Sequence, residues 1–206
     1  MSLSAASLSM LARVIARHGG AGGDDLATLA EAATERHFEK GETFLAAGEQ
    51  ARFAGLVVDG IQGEFYVLAN GTRKAKWLAM PGDVFGSLED LVRAGPALTT
   101  IEALSDGTVL CMPYARLRAM AAEQARWAAF LLSLVEDLYR KKSEREYALL
   151  MLDAPARYQW FLDRFAALEG ALSQEVVASY LGISAVHLSR VRGARLGKTE
   201  GKGEGA

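Results

Sequence analysis

Between Phe38 and Pro113 the apolar residues come only in short runs, each cut by a turn-forming residue, and that rhythm limits the stretch to β-structure. The runs FLAA, FAGLVV, EFYVLA, KWLAM, VFG, TTIEAL and TVLCM are separated by Gly41, Gly48, Asp59-Gly60, Asn70-Gly71, Pro81-Gly82, Gly95-Pro96 and Asp106-Gly107. Such segments are too brief for helices and have the length of strands, and roughly seven or eight at this spacing predict a β-sandwich or barrel. Asn70-Gly71 predicts a two-residue type I′ hairpin, because both residues tolerate a positive φ. The first strand is expected at Phe38, with His37 leading into it.

At Tyr114 the period becomes helical. YARLRAMAAEQ reads as one short helix, and from about Gln124 to Leu152 a second runs without proline or glycine. Trp127, Leu131, Leu134 and Leu138 step along it as a coiled-coil seam; Lys141 and Arg145 interrupt the seam before Ala148 and Leu152 resume it. A helix of this length buries such a stripe most simply against a copy of itself, so these four residues form the expected homodimer interface. Burial against its own domain is the alternative. Asp153-Ala154-Pro155 stops the helix, since proline cannot continue it while Asp153 can cap the next. The expected domains are therefore 1–122, a dimerisation helix over 123–152, and 153–206, the last with Tyr158, Phe161, Leu162 and Phe165 in its core.

Within that last domain, SQEVVASYLGISAVHLSRVR (173–192) reads as two short helices hinged at one glycine. Ser173 caps the first, from about Gln174 to Leu181, and Val177, Ala178 and Leu181 face a core. Gly182 ends it in the left-handed region, Ser184 caps the second helix, and Leu188 and Val191 form the buried side of that helix. The pattern is a helix-turn-helix, whose second helix would enter a major groove. An ordinary helical hairpin with a solvated basic face is the competing reading. From Val176 to Thr199 there are four basic residues, Arg190, Arg192, Arg195 and Lys198, and no acidic one. Arg190 offers the bidentate fork that reads guanine, Ser184 and Ser189 can donate to phosphates, and Arg192 and Arg195 reach phosphates. Ala185 and Val186 cannot hydrogen-bond a base but can touch a thymine methyl. These seven residues are the candidate DNA-binding set.

The formal charge of −2 means that a basic surface must be local rather than global. Cys111 is the only cysteine, which excludes an internal disulfide, a Cys-based zinc site or a four-cysteine cluster and fits a reducing cytoplasm. The opening residues form an amphipathic helix interrupted by Arg13 and Arg17, not a signal peptide; no run approaches the ~18 to 20 apolar residues of a membrane span. Gly19 to Asp25 is a break, and Leu26, Leu29 and Ala33 mark another short helix. The glycine-rich tail after Arg195 is expected to be disordered.

Taken in order, FEKGETF followed by Gly48-Glu49, LVVDG at 56–60, PGDVFG at 81–86, the long helix after YARLRAM, and ASYLGISAVHLSRVR make the chain similar to the Crp/Fnr superfamily of bacterial transcription regulators. The resemblance covers nearly the whole chain. It implies an α+β multidomain architecture: an N-terminal β jelly roll (double-stranded β-helix) of the cyclic-nucleotide-binding type, a long dimerisation helix, and a C-terminal helix-turn-helix, winged-helix-like domain. It further implies a homodimer on a palindromic double-stranded DNA site, RNA polymerase as a partner, an effector pocket in each roll, and no membrane association.

Members of that family that bind cyclic AMP carry a glycine–glutamate pair after PGD and an arginine–serine or arginine–threonine pair for the cyclic phosphate. Here Gly86-Ser87 and Ala97-Leu98-Thr99 stand at those places, so cyclic AMP is not the expected effector. The degenerate pocket comprises Gly86, Ser87, Leu88, Leu98, Thr99 and Thr100, with Lys142 and Ser143 from the long helix. Gly86, Thr99 and Thr100 can donate to a neutral or smaller ligand, or side chains can pack the pocket shut. No cofactor is expected: His18, His37 and His187 have solvated or capping roles, and Cys111 is a small buried residue. An enzyme of the cupin type would need several histidines converging on a metal, and only His37 is near a strand. A degenerate sensor acting by protein contact, without specific DNA binding, is the other reading.

Overall fold

The structure, a computed structural model, describes residues 3–19 and 23–200, with side chains through Arg195. By contacts the chain divides into two compact units, 1–139 and 140–206, with the division inside the long helix.

In the first unit two helices, α1 (Ala5–Arg17) and α2 (Gly23–Ala32), precede eight strands: β1 (Thr34–Phe38), β2 (Thr43–Leu45), β3 (Phe53–Asp59), β4 (Gln62–Val67), β5 (Arg73–Ala79), β6 (Val84–Phe85), β7 (Thr100–Ala103) and β8 (Gly107–Pro113). A short helix, α3 (Leu88–Arg93), joins β6 to β7. The strands form two antiparallel four-stranded sheets in the orders β1-β8-β3-β6 and β2-β7-β4-β5, the jelly roll expected. One core lies inside it, built from Phe38, Val57, Trp77, Phe85, Ile101 and Val109 among others. A second joins Leu56, Val58 and Leu110 of the first sheet to Met10, Leu11, Val14 and Ile15 of α1, Leu29 of α2, and Trp127 and Phe130.

Two local expectations change. His37 lies within β1, not before it; its Nδ1 is 3.0 Å from Thr108 Oγ1 on β8. The loop after β4 is not a type I′ turn, because Gly71 alone takes a positive φ (80°). The Gly71 N–H donates to Leu68 O at 2.8 Å and the Leu68 N–H to Thr72 O at 2.9 Å, a type I turn closed by a left-handed glycine. Asn70 Oδ1 accepts the Thr72 N–H at 3.0 Å, which holds the asparagine at negative φ.

After β8 follow α4 (Tyr114–Glu123), a single extended residue at Gln124, and α5 (Ala125–Met151). Here Trp127 drops out of the expected dimer seam, and Leu131, Leu134 and Leu138 are half-buried within their own unit. Trp127 is only 4% exposed and belongs to its own unit's core. Leu131, Leu134 and Leu138 line an apolar cavity of about 90 Å³ with Ala54, Val84 and Leu117 of the same unit. A stripe rotated by one residue is more exposed: Leu132, Val135 and Tyr139 are 59%, 42% and 73% exposed, with Val135 also at the edge of the cavity. Both stripes are apolar, and the roll covers the one beside α4.

The second unit contains the end of α5 and three helices, α6 (Ala154–Phe165), α7 (Gln174–Leu181) and α8 (Ala185–Glu200), with a 3₁₀ turn at Ala166–Leu168. Asp153 caps α6 as expected, accepting the Ala156 N–H at 2.9 Å. Tyr158, Phe161, Leu162 and Phe165 are buried, joined by Tyr180, which packs edge-on against Phe161 and Phe165 and stacks on Trp160. Among the described residues no strand accompanies these helices, so the winged form narrows to a helical helix-turn-helix. Residues 196–200, expected to be disordered, continue α8, since extending an established helix is easier than nucleating one; residues 201–206 lie outside the described ones.

Candidate nucleic-acid interface and effector region

Helix α7 begins at Ser173, whose hydroxyl accepts the Val176 N–H at 3.3 Å, and ends at Gly182 with φ 68°. A side chain at that glycine would be strained in the left-handed region and would sit 3.1 Å from Leu149 and 3.3 Å from Arg157. Ser184 then caps α8 through the His187 N–H at 3.1 Å. Gln174 Nε2 donates to Ala185 O at 2.6 Å, tying the first turns of the two helices together. Leu188 and Val191 are buried, as the spacing requires.

This leaves one side of α8 exposed. Val186, Ser189 and Arg190 stand on it at i, i+3 and i+4, and Ser184 and His187 are exposed beside them; Arg195 is exposed further along. Ala185 is half-buried. Arg192 turns the other way, which removes it from the expected phosphate contacts. Its Nε donates to Tyr158 Oη at 3.2 Å and lies 3.4 Å from Glu169 Oε1, because the carboxylate after the 3₁₀ turn is the nearest anion. Of the candidate set, the exposed surface thus gathers Ser184, Val186, Ser189 and Arg190, a fork and hydroxyl donors around one apolar side chain, whereas Arg195, four residues after Val191 and seven after Leu188, follows the side of those two residues.

The effector region is built differently. Gly86 has φ 120°, and a Cβ there would lie 3.1 Å from Phe53 O, so the strand after Asp83 runs too close to β3 for a side chain. Ser87 is buried and makes no capping bond on α3. Thr99, fully buried, donates its hydroxyl to Glu64 Oε1 at 2.8 Å rather than facing an open pocket. The same Glu64 oxygen receives Lys76 Nζ at 2.8 Å. Nor is the Leu98 N–H available, since Asp90 Oδ2 accepts it at 3.1 Å. Thr100 Oγ1 accepts the Ala47 N–H at 3.1 Å, and the Leu98 side chain is exposed. Leu88 is half-buried beside the apolar cavity. Lys142 and Ser143 are exposed and half-buried in the second unit.

Glu64, Lys76 and Asp90 escaped the sequence reading. Glu64 is on the inward face of β4, opposite Trp77 and Ile101. The pairing of Glu64 with Trp77 and of Phe65 with Ala75 leaves Lys76 as the extra residue of a bulge, which is how a lysine between two inward positions reaches an interior carboxylate. Burial alone would lower the Lys76 ammonium, but the Glu64 carboxylate outweighs it and holds the pKa above the ordinary lysine value. The alternation Gln62, Glu64 inside an otherwise apolar strand was the available signal. An anion entering here would meet two carboxylates whose donors are already taken, which favours exclusion of a cyclic phosphate.

His18 and Cys111 are buried, whereas His37 and His187 are exposed. His18 is buried at the C-cap of α1, its Nδ1 3.0 Å from Ser133 Oγ, so it caps and is not solvated. Cys111 is buried, and burial pushes its thiol up to about 11.

Residues 35–124 match the family model of the cyclic nucleotide-binding domain. Among solved structures, FixK2 from Bradyrhizobium japonicum is 25% identical, covers 84% of this chain and 89% of its own, and superposes with a TM-score of 0.68. The catabolite activator protein of Thermus thermophilus is 19% identical over 90% of this chain and 87% of its own, with a TM-score of 0.54. A protein from Eubacterium rectale assigned to the Crp/Fnr family of transcriptional regulators is 16% identical over 88% and 85%, with a TM-score of 0.67. The curated proteins contain no match to the sequence. No helix of the described residues is long and apolar enough to cross a membrane.

Proposed function

With residues 35–124 a cyclic nucleotide-binding domain and the fold that of Crp/Fnr transcription regulators, we propose that the protein is a DNA-binding transcription regulator of that type whose effector is not cyclic AMP. The observation that carries the reading is the exposed face of α8, where Ser189 and Arg190 stand beside Val186 opposite the buried Leu188 and Val191. Such a helix, presented beyond a glycine turn, supplies a guanine-reading fork, phosphate donors and a methyl contact in one groove-width surface.

The protein acts as a homodimer. Leu132, Val135 and Tyr139 follow one another by three and four residues on the more exposed side of α5, and as apolar side chains in water they gain by pairing with a second copy. RNA polymerase is the downstream partner that a regulator of this class would engage. The cytoplasm is the compartment where all three would meet.

Selection of duplexes from a random DNA pool by the wild-type protein tests the reading. A recovered palindrome supports it, and loss of selection in a Leu132→Asp, Tyr139→Asp monomer ties binding to the dimer. A pool that stays random after repeated rounds refutes it.

A further inference from the structure

The last four carbonyls of an α-helix have no partner in its own ladder, so each must be satisfied from outside. In α7 the turn itself satisfies two, since the Gly182 N–H reaches Ala178 O and Ser179 O and the Ile183 N–H reaches Ala178 O at 3.0 Å. Arginines from two other helices take the remaining pair. Arg145 of α5 donates from Nη2 to Tyr180 O at 3.0 Å with its guanidinium 4.5 Å from the Tyr180 ring centre, and Arg157 of α6 donates from Nη1 to Leu181 O at 2.7 Å. Arg157 also donates from Nε to Leu152 O at 3.1 Å, immediately after α5 ends. One planar guanidinium therefore holds the end of α5 and the end of α7 at a fixed separation.

We propose that Arg157, with Arg145 beside it, is a positioning residue that sets the pitch of α8 against the end of α5, and so the half-site spacing that the protein accepts on DNA. The inference rests on the DNA-binding reading. Three features point to position rather than charge alone. The two carbonyls bound by Arg157 lie at the ends of different helices, and a rigid fork holds them at a fixed separation through two nitrogens, whereas an ammonium reaches both only from one freely rotating nitrogen. Gly182 leaves no side chain in the way, and its missing Cβ would lie 3.3 Å from Arg157 Nη1. Both carbonyls lie at helix C-termini, where a cation is stabilised by the helix dipole as well as by charge-assisted bonds. In a dimer, the direction of α8 relative to the end of α5, both within the second unit, bears on where the two reading surfaces fall along the duplex.

The test uses the full-length protein and the palindrome that the wild type selects, remade with one base pair inserted or removed between its half-sites. Wild type should bind the misspaced duplexes about tenfold or more weakly, because the second reading helix rotates out of its groove. Arg157→Met should bind the correct duplex about tenfold more weakly and distinguish the three by about threefold or less, with Arg157→Lys between them. An Arg157→Met protein that keeps the wild-type spacing penalty overturns the proposal, whatever its affinity; if that variant does not fold, Arg157→Lys and Arg145→Met are read by the same criterion. Should the wild type select no DNA, the functional reading fails, and amide exchange then judges the fork by itself. Exchange at Ile183 about tenfold faster in Arg157→Met, with the α6 amides unchanged, supports it; an unchanged Ile183 overturns it.

Discussion

Thr99 and Lys76 in the roll and Ser189 and Arg190 on α8 are the same pairing of hydroxyl and cation, yet the first pair closes on Glu64 and the second faces solvent. The difference lies in the acceptors nearby. Inside the roll a carboxylate from another strand takes both donors; on α8 the described residues place no carboxylate on the exposed face, and the acid that does approach the helix, Glu169, engages Arg192 on the other side. An anion-binding surface is thus defined by what does not consume its donors. Buried donors that serve an internal carboxylate stabilise a fold, whereas exposed ones remain for a phosphate or a base edge.

The largest effect that would separate the two regions comes from removing the internal acceptor. Glu64→Ala should destabilise the chain by ~3–5 kcal/mol, because Lys76 and Thr99 are left buried without their partner, and Glu64→Ala with Lys76→Met should recover part of it. Urea denaturation measures both. A loss below ~1 kcal/mol would mean that the pair behaves like a surface ion pair and does not close the interior.

Next in size, Arg190→Ala should cost ~1–3 kcal/mol per half-site on the selected duplex and flatten the preference at one base pair. Footprints on wild type and variant decide it, and full affinity with unchanged preference would remove α8 as the reading helix. Smaller still is Arg192→Met. It should cost ~1 kcal/mol or less in stability and leave the salt dependence of DNA binding unchanged; a slope reduced by about one per half-site would restore Arg192 to the phosphate contacts.

A pH titration sharpens the interior half of the comparison. Because the folded-state pKa of Lys76 is raised, the stability it contributes is fully present below the ordinary lysine value and is lost as pH rises through the raised one. Wild type should therefore lose stability across the alkaline limb more steeply than Lys76→Met, and parallel limbs would show that the ion pair is not what titrates. Smallest of all is the response to cyclic AMP at millimolar concentration, which should leave the melting temperature unmoved. A micromolar site would stabilise by about 4 kcal/mol at thousandfold excess and would show that the carboxylates yield to a phosphate.

Much of the architecture was legible because it depends on local rules. Gly182 needed a left-handed turn, Ser173, Ser184 and Asp153 were caps, and the seven glycine-punctuated runs became β2 to β8 of two sheets. What escaped depends on contacts distant in sequence. Glu64 meets Thr99 across 35 residues, and Lys76 reaches the interior only through a bulge. On α5, the Leu131, Leu134, Leu138 stripe and the Leu132, Val135, Tyr139 stripe are equally periodic, so periodicity alone could not say which the roll would cover. The same limit misplaced Arg192, whose direction was decided by Glu169 beyond the preceding helix. At Asn70-Gly71 the residue types allowed two hairpin geometries, and the Thr72 amide selected the one with a single left-handed residue.

The outer core of the roll also dictates an order of events during synthesis. Leu56, Val58 and Leu110 share a cluster with residues of α1 and α2, made before them, and with Trp127 and Phe130, made after them. A nascent chain that has just completed β8 still exposes part of that sheet face, and an excised fragment ending where the family match ends would expose it permanently. The roll can complete this core only after the first turns of α5 have left the ribosome, so the start of the helix that carries the more exposed stripe is tied to the folding of its own unit.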